Sequence, residues 1–238
     1  MSFVYLHGMG GSPADWRQVQ SFLPGTSIAL PASESFAEMI PLLAEKISKV
    51  PAPVLCGYSM GGRVALLLAE ELLRRQIPPA GVALLSAGTG ISGEKERELR
   101  NQIDEKWAKL AAENPDKFWQ DWYRQPLFAS FSALPVHLQN EWLIDRKSID
   151  FNYLSQQLRD LGPAKHPDLL PIFPKLRAAS ISVLYLAGEL DKKYLDLAQI
   201  LAKQERATVE IIPGAGHILP LEAPKKIAER LRAFFPYA

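Results

Sequence analysis

The chain has 238 residues, 47% hydrophobic and 22% charged, with a formal net charge of +1 from 27 basic and 26 acidic side chains. Such a chain fits one large globular domain, or a core domain carrying an insertion. The near-neutral balance offers no single-sign field for nucleic acid or an anionic membrane, the lone Cys56 rules out an internal disulfide framework, and no stretch nears the roughly 20 apolar residues of a membrane span.

Taken in chain order, Met1 to His7 lack the basic region and long apolar run of a signal peptide, so a soluble cytoplasmic protein is expected, as monomer or weak homo-oligomer. Val4–Leu6 opens a series of short apolar runs that read as strands, continued by Ser27–Leu30, Val54–Cys56, Val82–Leu85, Val183–Leu186 and Val209–Ile212. Most are continuously apolar rather than alternating, as in parallel strands covered on both faces. Helical patterns lie between them at about 15–22, 35–49, 60–75, 192–204 and 221–235. That alternation predicts a parallel sheet with helices on both sides. The rhythm breaks after Gly88. From there to about Ala179 the chain is helix-rich and holds Trp107, Trp119, Trp122 and Trp142. The expected division is therefore a core of 1–87 and 179–238 with a helical insertion over 88–178. Placed after a strand's carboxyl end, the insertion would cover the ligand crevice of an open sheet as a lid.

Gly57-Tyr58-Ser59-Met60-Gly61 fits G-x-S-x-G, between the run Pro53–Cys56 and the helix expected from Met60. A serine on such a strand-to-helix turn is held in a strained backbone with its hydroxyl above the sheet. The following helix N-terminus presents N–H groups to negative charge developing nearby. A Gly-rich turn with an incidental serine is the plainer reading, and the partners of Ser59 weigh against it. A serine hydroxyl needs a neighbouring imidazole to act. His217, in Gly214-Ala215-Gly216-His217 after the last strand, is best placed. His137 and His166 fall in the insertion without an assigned role, and His7 is expected to shape the backbone near an oxyanion site. The orienting acid of a Ser, acid, His order lies between the two. Asp191 is favoured; it could instead only N-cap the next helix, and Glu189 is its rival. Oxyanion donors are expected from the backbone N–H groups of Met60 and of Met9, the latter in His7-Gly8-Met9-Gly10-Gly11-Ser12. That loop lacks both phosphate-loop spacings. Together these features predict an α/β-hydrolase fold: a mostly parallel sheet, helices on both faces, and an all-helical lid.

Arg63 falls on the first turn after the serine, on a helix whose buried face is otherwise apolar (Val64, Leu67, Leu68). A charge there is costly unless paired, and a guanidinium fork suits a carboxylate, whether of a ligand or of the lid. Arg100, within Glu94–Arg100, reads by default as part of a solvated helix face. Trp122 alone reads as packing.

Three segments narrow the chemistry: Gly57–Arg63, Asp121-Trp122-Tyr123-Arg124-Gln125-Pro126-Leu127-Phe128-Ala129-Ser130, and Tyr185–Tyr194 around Asp191. Together with Leu6-His7-Gly8, Gly11-Ser12 and Trp16, they resemble the 2-succinyl-6-hydroxy-2,4-cyclohexadiene-1-carboxylate synthases of menaquinone and phylloquinone biosynthesis, over nearly the whole chain. The resemblance implies a lyase, with a substrate that loses a ring α-proton and eliminates pyruvate. It implies the triad serine as a base relayed by histidine, without an acyl intermediate, and no metal or organic cofactor. It implies a small substrate bearing several carboxylates, bound by Arg63, Arg100 and, if a small insertion precedes it, Arg146, with Tyr58 and Trp122 lining the pocket. The chain departs from the wider superfamily in starting almost at its first core strand and in reading Leu30-Pro31-Ala32-Ser33 after the second. A carboxylesterase or thioesterase with Ser59 as covalent nucleophile shares the triad and needs no cation cluster. A non-catalytic binding protein of the same fold would not need the triad.

Overall fold

The computed structural model describes residues 2–236; Met1, Tyr237 and Ala238, at the ends of the expected core, lie outside the described residues. The core elements are β1 (Ser2–Leu6), α1 (Arg17–Phe22), β2 (Thr26–Ile28), α2 (Phe36–Ile47), β3 (Pro53–Tyr58), α3 (Met60–Arg74) and β4 (Gly81–Leu85). Then come α4 (Glu94–Glu113), α5 (Pro115–Trp122), α6 (Val136–Lys147), α7 (Phe151–Asp160) and α8 (Ile172–Ala178). The chain ends with β5 (Ser182–Gly188), α9 (Lys192–Lys203), β6 (Thr208–Ile212), α10 (Leu219–Glu222) and α11 (Pro224–Phe234).

All six expected strands form, in one parallel sheet ordered β2-β1-β3-β4-β5-β6. Alternate residues of β1 face opposite cores. Val4 and Leu6 join α2, α3, α8 and α9, whereas Phe3 and Tyr5 join Trp16, Val19 and the α11 residues Ile227 and Leu231. The continuously apolar runs follow from this two-sided burial. At one edge, β6 is only partly covered and carries Glu210, paired to Arg230 at 3.2 Å. At the other, β2 stops at Ile28, before the expected Leu30. The Leu30 N–H is drawn off the ladder to His7 Nε2 (3.1 Å), and Pro31 disfavours further regular backbone.

From β1 the chain moves outward to β2, then returns to place β3 on the other side of β1. The loops leaving β1 and β3 therefore diverge, opening a crevice at the carboxyl ends of the strands. Both the His7–Ser12 loop and Ser59 lie there.

Between β4 and β5, α4 runs along α7 over a small apolar core of Ala108, Ala111, Phe118, Trp119, Leu154 and Leu158. The segment expected as insertion to residue 178 differs at its end. In α8, Ile172, Phe173 and Leu176 bury into the main core against α3 and β5. Two adjacent parallel strands need a crossover element packed on the sheet, and α8 fills that place. Among the described residues no helix is long and apolar enough to cross a membrane.

Candidate active site

Ser59 sits between β3 and α3 at φ 52°, ψ −111°, a strained conformation for a side chain with a Cβ. Its own N–H is held by the Leu85 carbonyl (2.9 Å). The glycines around it let the elements touch: a Cβ on Gly57 would collide with the Gly61 carbonyl oxygen, and one on Gly61 with the Leu6 carbonyl oxygen. His217 Nε2 lies 3.3 Å from Ser59 Oγ, and its Nδ1 lies 2.7 Å from Asp191 Oδ2. The carboxylate accepts from Nδ1–H, which leaves the Nε2 lone pair facing the serine. Asp191 makes the contacts of both alternatives read from the sequence, because its Oδ1 also accepts from the Tyr194 N–H at the start of α9 (3.4 Å). Glu189 turns away and accepts from the Gly214 N–H (2.8 Å).

Met9 lies in the loop after β1 and Met60 opens α3 directly after Ser59, and among the described residues neither amide N–H has an acceptor. Met60 is wholly buried and belongs to the main apolar core. His7 ties the first loop down: its Nδ1–H donates to the Gly8 carbonyl (2.9 Å) and its Nε2 accepts from Leu30. Burial lowers its pKa, with Asp15 opposing, and it acts as a neutral structural pin.

Met9, Tyr58, Ser59 and His217 line one cavity, and the same wall includes Trp122 and all three arginines singled out from the sequence. The arginines differ in state. Arg63 is buried, and among the described residues it has no carboxylate within ion-pair distance; its one hydrogen bond is Nη1–H to the Leu161 carbonyl (3.3 Å). Burial pushes its pKa down to about 10, with Tyr194 opposing and Arg100 adding to the fall. Arg100 is partly buried and paired to Asp104 on its own helix (Nη2 to Oδ1, 2.7 Å), so it is not the solvated residue its charged neighbours suggest. Burial raises the Asp104 pKa against the pull of Arg100, and among the described residues its Oδ2 has no partner. Arg146 reaches the cavity, but its fork is taken. Nη1 and Nη2 bind Asp15 Oδ1 and Oδ2 (2.6 and 3.0 Å), Nε binds the Tyr123 hydroxyl (3.2 Å), and the Trp142 ring lies 3.7 Å from Cζ. Arg146, expected among the substrate-binding residues, thus lines the cavity with its charge already paired to Asp15. Burial works against its charge, but Asp15 and Tyr123 outweigh this and raise its pKa.

Trp122 packs against Trp107, Phe118 and Phe128 with ring centroids 5.2–5.9 Å apart, while one face meets the cavity. Three residues of the site were not singled out from the sequence. Tyr123 and Lys193 line the cavity. Glu222 accepts from Gly216 N–H (2.6 Å) and Ile218 N–H (2.8 Å), the amides either side of His217, and from Ser130 Oγ (3.1 Å). Tyr123 and Lys193 each lie in a segment quoted for the resemblance, Asp121–Ser130 and Tyr185–Tyr194, whereas Glu222 lies in none. Among the described residues, no group of three or more His, Cys, Asp or Glu is arranged to hold a metal.

Residues 3–230 match the alpha/beta hydrolase family. The chain is 34% identical to the 2-succinyl-6-hydroxy-2,4-cyclohexadiene-1-carboxylate synthase of Salmonella heidelberg, over 97% of this chain and 92% of that one. Among solved structures it is similar to MenH from S. aureus, with a TM-score of 0.88, 28% identity, and coverage of 98% of this chain and 92% of that one. A thermophilic esterase from Thermogutta terrifontis shares the fold at a TM-score of 0.76 and 20% identity, covering 98% of this chain and 89% of that one. The chain belongs to the alpha/beta hydrolase family and, within it, is an enzyme of the 2-succinyl-6-hydroxy-2,4-cyclohexadiene-1-carboxylate synthase family.

Proposed function

We propose that this enzyme eliminates pyruvate from 2-succinyl-5-enolpyruvyl-6-hydroxy-3-cyclohexene-1-carboxylate, in menaquinone or phylloquinone biosynthesis in the cytoplasm, with Ser59, His217 and Asp191 as its proton-transfer machinery. The carrying observation is Arg63: a buried guanidinium without a carboxylate partner among the described residues, lining the same cavity as Ser59 and His217. A simple ester pocket has no use for so costly a charge. A substrate with several carboxylates does, because it supplies the missing counter-ion.

In this reading His217 Nε2 accepts the Ser59 hydroxyl proton as Ser59 Oγ takes the ring α-proton. The electron pair left on carbon moves into the ring, the bond to the enolpyruvyl oxygen breaks, and that oxygen leaves with its pair. The proton returns through Ser59 and His217, and the released enol becomes pyruvate. Asp191 holds His217 in the tautomer that can accept, and it stabilises the imidazolium. The amides of Met9 and Met60 are donors for negative charge developed on the substrate. Arg63 and Arg100 anchor carboxylates, and Tyr58 and Trp122 shape the pocket around the ring. The helices of residues 88–171 form the lid over this chamber and keep water from the reacting carbon.

The test is release of pyruvate from the enolpyruvyl substrate, coupled to NADH oxidation by lactate dehydrogenase. Ser59→Ala is expected to lower kcat by on the order of 10⁴ or more. Arg63→Met should lower kcat/KM by about 10–100-fold, the worth of a charge-assisted hydrogen bond. Fast hydrolysis of p-nitrophenyl acetate with no pyruvate released would instead establish the esterase reading, with Ser59 as covalent nucleophile.

A further inference from the structure

Tyr123 closes α5, and its hydroxyl oxygen accepts two hydrogen bonds, from the Trp142 indole N–H (2.8 Å) and from Arg146 Nε–H (3.2 Å). Indole and guanidinium are donors only, so the phenolic proton cannot be shared with either. With both acceptor positions of the oxygen taken, the O–H has one direction left. Among the described residues no acceptor lies within hydrogen-bond reach of it, and the residue lines the cavity that holds Ser59 and His217. The two donors are themselves fixed. Arg146 is clamped bidentately by buried Asp15, and its guanidinium stacks on the Trp142 ring. Tyr123 is wedged between the rings of Trp119 and Phe131, at 5.9 and 4.6 Å. Burial keeps the phenol protonated, although Arg146 pulls the other way. A cation donating to the oxygen withdraws electron density and strengthens the O–H as a donor.

We propose that Tyr123 donates a hydrogen bond to a carboxylate of the bound substrate, aimed by Trp142 and by the Asp15–Arg146 pair. In this arrangement Arg146 is a positioning residue. It has given one N–H of each nitrogen to protein partners and acts on the ligand through the tyrosine. The inference rests on the proposed function for the identity of the substrate. All it requires of the ligand itself is a carboxylate, which keeps the two separable.

Because a carboxylate is charged in ground and transition state alike, the contribution belongs in KM rather than kcat. Tyr123→Phe is expected to raise KM for the enolpyruvyl substrate by about 10–100-fold with kcat nearly kept. That variant also strands two donors, so 3-fluorotyrosine in place of Tyr123 is the control that preserves shape and both accepted bonds. Its stronger O–H should lower KM by about 2–5-fold. Asp15→Asn should raise KM in the direction of Tyr123→Phe. Should the wild type release no pyruvate, the proposed function fails. The same proteins then report on p-nitrophenyl succinate against p-nitrophenyl acetate, where the Tyr123 effects are expected on the anionic ester alone. Unchanged KM in the fluorotyrosine and phenylalanine proteins, or equal effects on the charged and neutral esters, would overturn the inference.

Discussion

An imidazole that relays protons needs a stiff loop, and Glu222 braces the loop of His217, the residue proposed for that role. Its carboxylate spans the amides on either side of His217 and takes a third bond from Ser130 of the inserted region. Glutamine keeps the shape but offers one acceptor oxygen instead of two, so one of the two amide bonds must be lost. Glu222→Gln is therefore expected to lower kcat for pyruvate release by about 10-fold, on the scale of a hydrogen bond to a charged group. A steady-state assay beside a melting curve checks this, and an unchanged kcat would show that the loop holds itself. The hydrogen-bonded arrangement of Ser59, His217 and Asp191 was legible from sequence because each member sits just past a strand end in a short, patterned loop. Glu222 and Ser130 are 92 residues apart, and Asp15 and Arg146 131. Neither pair has a local pattern. Their geometry exists only once the sheet has placed distant loops together.

At the scale of elements, the alternation of apolar runs and helices carried the sheet, because parallel strands buried on both faces leave a continuous apolar signature. What it could not carry was the role of α8, since Pro163–Pro174 punctuates the chain like a loop and a helix inside an insertion looks like one that completes a crossover. His166, just before α8, shows how tightly this joint is packed. It is buried, its Nδ1–H donates to the Pro167 carbonyl (2.8 Å), and its ring meets Phe36 edge-on at 6.0 Å. Burial, with Arg63 adding, lowers its pKa from 6.5 to about 3. The unfolded chain binds a proton near pH 6.5 that the folded chain refuses. The stabilisation is thus whole above pH 6.5 and is lost as pH falls toward 3. Between pH 6.5 and 5, above the range where carboxylates dominate, His166 should contribute a slope approaching about 1.4 kcal/mol per pH unit. His7, also lowered by burial, adds a second contribution of the same sign. His166→Asn should remove the first and leave the second, so urea unfolding at several pH values should show a shallower fall in the variant. Equal slopes in the two proteins would mean that the site admits the charged ring.

Across the whole molecule, the inserted helices meet the core through apolar packing, where Phe128, Phe131 and Trp142 join the cluster of Tyr5, Tyr58 and Ile218, and through a few polar contacts set around the cavity. Arg146 binds Asp15, Gln157 accepts from Gly10, Tyr153 donates to the Leu30 carbonyl, and Leu161 accepts from Arg63. Every one of these core partners lies on a loop or helix start at the carboxyl end of the sheet, so what holds the insertion in place also shapes the cavity. The strongest is Arg146–Asp15, with side chains 3% and 0% exposed. Removing one partner leaves a buried charge unpaired, which costs about 3–5 kcal/mol. A few residues away, Arg17 pairs with Asp145 at 3.0 Å, but its side chain is 56% exposed, and such surface pairs contribute about 0–1 kcal/mol. The two pairs join the same segments, the Pro13–Phe22 region and α6, and so provide an internal comparison. Arg146→Met should lower unfolding free energy by about 3–5 kcal/mol, and it should increase cleavage by protease within residues 94–160 because the insertion loosens before the sheet does. Arg17→Met should change stability by less than about 1 kcal/mol and leave the cleavage pattern alone. If Arg146→Met instead unfolded the chain in one step with no early cleavage of the insertion, core and insertion would be a single cooperative unit, and a lid that opens to admit substrate would have to move without breaking this pair.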